Sequence, residues 1–155
     1  MAHIHRKGPI DPIQVAVKVT SEVPTNLINI GDLVALESFV VVPAQAFTWD
    51  TNEATTQTAF ADAFVGASCS RSRLGTSDPR DLEIQVATDG YIEFDCVSDN
   101  YDLGEYLGCD SAASLLKQTV KVVGSKAVAV AIVIEKAPAA STRVLGRLVN
   151  TLPKR

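Results

Sequence analysis

The sequence predicts a mainly β fold, a compact barrel or sandwich of about nine to ten short strands with one short helix. Three observations lead there. Valine occurs 19 times while aromatics make up only 6% of the chain, which favours a core of β-branched side chains packed on pleated surfaces. Apolar residues recur with period two, first at Ile13, Val15, Val17 and Val19 against Gln14, Ala16 and Lys18. Turn-forming residues interrupt such runs about every ten residues.

Taken in order, "PIQVAVKVT" reads as a half-buried strand. "LINIGDLVAL" and "FVVVPA" read as two more, with a bend or bulge at Gly31-Asp32 and a stop or sheet edge at Pro43. "DTNEATTQTAFADAF" carries the helix signal: Asp50 as cap, Glu53 at the capping-box position, and Phe60 and Phe64 on one face. Its threonines are poor helix formers, so the helix is expected to cross an open barrel end instead of forming a layer. "AFVGASCS" reads as a buried strand and "RSRLGTSDPRD" as an exposed loop. "LEIQVAT" and "YIEFDC" flank Asp89-Gly90, a strong hairpin signal. "DNYDLGEYLGCDS" reads as a loop, and "LLKQTVKVV" and "KAVAVAIVIEKA" as strands, the second apolar on both faces and therefore central or covered. "APAAST" is expected to be a flexible joint before the last strand, "RVLGRLVN".

At 155 residues and 46% apolar content, one domain over residues 13–151 can bury a sufficient core, leaving an arm at 1–12 and a tail at 152–155. No apolar run approaches the ~20 residues that cross a bilayer as a helix, and "MAHIHRKGPIDP" lacks a signal-peptide stretch, so synthesis in the cytoplasm is expected.

The net charge of −4 is unevenly spread. Residues 81–110 hold nine acids and no base, whereas 136–155 hold five bases and no acid. Such separation favours contacts between copies or with a charged partner, or simply keeps a sheet surface soluble. Nucleic-acid binding fits poorly, because Arg71, Arg73 and Arg80 form a small group without interleaved aromatics in an acidic chain.

Catalytic and metal chemistry find little support. Cys69, Cys96 and Cys109 are an odd number without a CxxC pair, and read as free thiols. A cysteine hydrolase using Cys69 or Cys109 would need a histidine base, and the chain offers only His3 and His5. "HIH" is a weak metal site, and Asp99, Asp102 and Glu105 do not match the spacing of an EF-hand loop. No Gly-rich phosphate loop, HExxH or GxSxG is present, so no catalytic, metal or cofactor residues are assigned. A glycan-binding or cell-surface-binding module is the main alternative, with Trp49, Tyr91, Tyr101 and Tyr106 available for stacking.

The succession "NIGDLVAL", "FVGASCSRSRLGTSDPRDLEIQVATDGYIEFDC", "YDLGEYLGCD" and "LLKQTVKVVGSKAVAVAIVIEKAPAASTRVLGRLV" resembles the small capsid decoration, or cement, proteins of tailed bacteriophages. In that family an early strand opens on Gly-Asp, an F-V-G strand leads to a V-A-T-x-G hairpin, a G-x-x-L-G loop follows, and an alanine- and isoleucine-rich strand precedes the last one. The resemblance runs over about residues 27–150. It implies a non-enzymatic β-barrel, commonly a homotrimer, that binds the major capsid protein on the outside of the virion and stabilises the shell. Two contact regions are expected beside it. The arm residues Ile4, His5, Arg6 and Lys7 are candidates for reaching a neighbour, and Val40, Val42 and Leu145 for apolar contacts between copies.

Overall fold

The computed structural model describes the backbone of residues 12–16, 19–20, 23–24, 27–72 and 83–151, and the side chains of 27–72 and 84–151. The fold is mainly β, with twelve strand segments and one α-helix among the described residues. Five strands form an open sheet in the order β1-β7-β6-β4-β5: β1 Pro12–Ala16, β4 Leu33–Glu37, β5 Val40–Pro43, β6 Phe64–Ser68 and β7 Glu83–Ala87. Five more close a barrel in the order β10-β8-β12-β11-β9: β8 Tyr91–Tyr101, β9 Tyr106–Ala112, β10 Leu115–Val123, β11 Ala131–Val133 and β12 Ala137–Leu148. Two-residue strands β2 Val19–Thr20 and β3 Val23–Pro24 pair with each other.

Period-two alternation places the core. On β8, Ile92, Phe94 and Cys96 point inward against outward Tyr91, Glu93 and Asp95, and on β12 Val144, Gly146 and Leu148 point inward. These join Leu107, Cys109, Leu116, Val120 and Val133 inside the barrel. The same apolar cluster continues into one face of the open sheet through Leu33, Ala35, Val42, Phe64 and Ala67. The other face of that sheet carries a second cluster, with Val34, Val41, Val65, Ile84 and Val86. Helix α1, Glu53–Ala63, drives Phe60 into the larger cluster, where its ring meets Phe47 edge-on at 5.2 Å and Phe64 at 5.8 Å.

Gln118 stitches the two sheets together. The β9–β10 ladder shifts register between Leu116 and Val120, and the bulge turns the Gln118 amide toward β4. There its Oε1 accepts from the Leu33 N–H at 2.6 Å while its Nε2 donates to the Leu33 carbonyl at 3.2 Å. One side chain thus occupies both backbone groups at the start of a buried strand.

Several expectations are corrected. The Asp89-Gly90 turn is not a hairpin, because β7 pairs with β1 and β6 while β8 pairs with β12 and β10. It is the corner where the chain leaves one sheet for the other, and the Gly90 carbonyl accepts instead from Leu148 of β12. The helix cap is Asn52, whose Oδ1 accepts from Thr55 N–H at 3.0 Å, since Asp50 turns its carboxylate onto Thr51. Most of "DNYDLGEYLGCDS" is strand, split between β8 and β9. "KAVAVAIVIEKA" is broken into a 3-10 turn at Lys126–Val128 and the short β11, and "APAAST" is part of β12, which bulges there with Ala140 at a φ of 63°. "PIQVAVKVT" is divided between β1 and β2. The loop expected at "RSRLGTSDPRD" lies almost wholly outside the described residues.

Candidate interaction surface

The surface is best built from the β4–β5 hairpin outward. Glu37 faces Val40 in its ladder, so only Ser38 and Phe39 turn the chain. Both have positive φ, 52° and 68°. A two-residue turn of this shape suits the right-handed twist of its strands but is normally filled by Asn-Gly. Here its second position is a phenylalanine that is 95% exposed. The base of the hairpin is firmly held: Val41 and Val42 are fully buried, and Glu37 Oε1 accepts from Thr48 N–H at 2.7 Å.

A second region is the outer face of β8 and β12. Arg143 Nη1 lies 3.2 Å from Glu93 Oε1 and its Nε 3.6 Å from Asp95 Oδ1, while Arg147 Nε lies 3.4 Å from Asp89 Oδ1. Lys136 reaches Asp102 at 3.0 Å. The acid-rich and base-rich stretches of the sequence therefore meet within one chain. Exposed pairs of this kind add little stability, but they neutralise a face that would otherwise repel itself.

The third region joins α1 to the barrel. Glu53 Oε1 accepts from Ser111 Oγ at 2.8 Å and from Lys121 Nζ, and Asp110 lies 3.5 Å from Lys121 and 3.4 Å from Lys117. Bonding to Lys121 holds the Glu53 carboxyl below the ordinary carboxylate range, though partial burial works the other way. Burial pulls Lys121 down, and Glu53 and Asp110 overrule it to leave its pKa raised. Glu53, placed by the sequence in a capping box, is instead a latch between helix and barrel.

Of the expected contact residues, Ile4, His5, Arg6 and Lys7 lie outside the described residues. Val40 and Leu145 are half-buried, one on the last strand of the open sheet and the other on the outward face of β12 opposite Glu93. Val42 is fully buried in the larger core, so its side chain is spent on folding and is withdrawn from the set offered to another copy. Among the described residues, Val40 and Leu145 lie on different sheets. Phe39, which the sequence reading passed over, is the most exposed of the large apolar side chains among the described residues. Its signal was there: two runs, "LVALE" and "VVVP", leave only Ser38 and Phe39 to make the turn.

The thiols and tyrosines also find places. Cys109 is buried, which pushes its thiol up to about 12, and burial likewise raises Cys96. Neither is suited to act as a thiolate at neutral pH. Tyr101 is fully buried with its hydroxyl donating to the Val97 carbonyl, so it has no face for a sugar to stack on. Trp49 packs half-buried against the core, and Tyr91 is 37% exposed. Asp102 and Glu105 close their own turn, with Asp102 N–H donating to Glu105 Oε2 at 2.8 Å. Among the described residues, no three His, Cys, Asp or Glu side chains are grouped to hold a metal ion, and no helix is long and apolar enough to cross a membrane.

Fold and surface together define a mainly β protein whose most prominent unburied feature, among the described residues, is an apolar hairpin tip. Compared with known proteins, the chain matches no protein-family model and no curated protein.

Proposed function

We propose that this chain is a structural virion protein that binds the outside of an assembled tailed-phage capsid and stabilises the shell. One observation carries the reading. Of the glycines in the motifs that resemble decoration proteins, Gly31, Gly66, Gly90 and Gly104 have positive φ, and Gly108, within β9, meets a close approach instead, since a Cβ there would lie 2.8 Å from the Val128 carbonyl oxygen. A pattern of common residues thus corresponds to a set of backbone requirements of one architecture, which supports transfer of the resemblance as a whole.

The physical task suits the molecule. A protein that binds the assembled lattice and not its free subunits stabilises that lattice by mass action. A small domain with two apolar clusters and internally paired charges is rigid enough to do so with little ordering cost. Self-association into a trimer through outward apolar residues such as Val40 and Leu145 would add avidity across neighbouring capsid subunits.

Co-sedimentation of the purified chain with expanded capsids that lack it tests the reading. Saturable binding to capsids, and none to free capsid subunits, is the expected result. Hits on a glycan array without capsid binding would favour the surface-binding alternative and overturn this one.

A further inference from the structure

Phe39 occupies a position that neither folding nor solubility explains. Its ring is 95% exposed and contributes almost no burial. Its left-handed backbone, shared with Ser38, is strained for a residue that is not glycine, and Asn or Gly would fit with less strain. A bare aromatic tip also invites aggregation. The tip is nevertheless held rigidly by the ladder from Glu37–Val40 to Val34–Pro43 and by two fully buried valines beneath it. A rigid convex ring with few torsions to freeze has the properties of an interface anchor that fills a partner's pocket.

The surrounding charge describes the rim of that pocket. Between residues 19 and 70 the chain has no lysine, arginine or histidine, and of its acids there Asp32 is buried and Glu53 is bonded to Lys121, so the charge at the hairpin rests on Glu37 and the nearby Asp50. Glu37 sits at the hairpin base, and its bond to Thr48 ties in the segment that bears the exposed Asp50. Among the described bases of a second copy, five would have to leave an existing partner to supply such a rim. These are Lys117, Lys121, Lys136, Arg143 and Arg147, already paired with acids of their own chain.

The geometry points to Phe39 as the anchor with which the β4–β5 hairpin enters an apolar pocket, rimmed by lysine or arginine, on a different protein. This rests on the decoration reading, which makes that protein the capsid subunit. The anchor supplies affinity, and the acids at its base supply orientation and rate of encounter.

The test is quantitative co-sedimentation of the full chain and three variants with capsids lacking it. Phe39→Asn, which relieves the backbone strain, is expected to keep or raise the thermal midpoint yet weaken binding roughly thirtyfold or more. Glu37→Gln, which retains the acceptor for Thr48, should lose a few-fold at low salt and nothing at high salt. Leu103→Asn, at a second exposed apolar tip that is 72% exposed, should bind like wild type. If wild type binds and Phe39→Asn binds equally well, the anchor is wrong and the decoration reading stands. If wild type does not bind, both fall. Equal losses for Phe39→Asn and Leu103→Asn would mean general stickiness, and no effect of Glu37→Gln would remove the basic rim. If Phe39→Asn instead breaks up an oligomer of the free protein, the occupant is a second copy and the proposal is overturned.

Discussion

Gly66 stands at the tightest approach in the open sheet. Its φ is 151°, and a Cβ built there would lie 1.9 Å from the Ala87 carbonyl oxygen of β7. The β4–β6 ladder shifts register beside it, so the bulge and the close approach are one feature. Gly66→Ala is expected to cost about 3 kcal/mol or more, lowering the thermal midpoint by roughly 10 °C in a chain of this size. Asp32 poses a different problem, a carboxylate only 1% exposed. Burial raises its pKa above the ordinary 3.8, although the Asn29 N–H, donating at 2.9 Å, opposes this. A folded value above the unfolded one means that the charged group costs stability at neutral pH. That cost disappears as pH falls through the window from the folded value down to 3.8. Asp32→Asn keeps an acceptor for Asn29 and removes the charge, so thermal melts should show it more stable than wild type at pH 7. The gap should shrink as pH drops through that window. A variant less stable at pH 7 would show the charge to be favourable. Asp32 read in sequence only as half of a Gly-Asp bend, because the chain that packs around this bend is distant in sequence: Ser68 N–H donates to the Asp32 carbonyl, and Ser72 is bonded to Ile28.

At the scale of elements, periodicity made β4, β6, β10 and the first half of β8 legible, since each carries its own inside and outside. Pairing was not legible. Asp89-Gly90 has the turn chemistry of a hairpin, yet the ladders go elsewhere, because local turn preference does not say which strand lies alongside. Similarly "APAAST" looks like a joint only until β8 supplies it with a partner across a bulge. Charge segregation was visible along the chain, and its resolution into Arg143, Arg147 and Lys136 pairs was not, for the same reason. Gln118 shows how such long-range links carry stability. Gln118→Ala would leave the Leu33 N–H and carbonyl without that partner at a buried strand end, a loss of about 1–3 kcal/mol in denaturant melts. A loss within error would mean that water replaces the amide. Phe39 was hidden because "FVVV" reads as one buried run, when the turn splits it after its first residue.

At the scale of the whole molecule, a closed barrel and an open sheet share one core, and among the described residues Phe39 is the most exposed large apolar side chain. The expectation of a mainly β fold with a single helix agrees with the structure. The functional proposal adds that this rigid body works by gripping an assembly. Electron microscopy of the particles of the encoding virus, with and without this gene, addresses that most directly. Surface protrusions on the capsid that vanish on deletion, together with shells that rupture more easily, are the predicted result. Particles with the same outline and the same mechanical stability in both cases would contradict it.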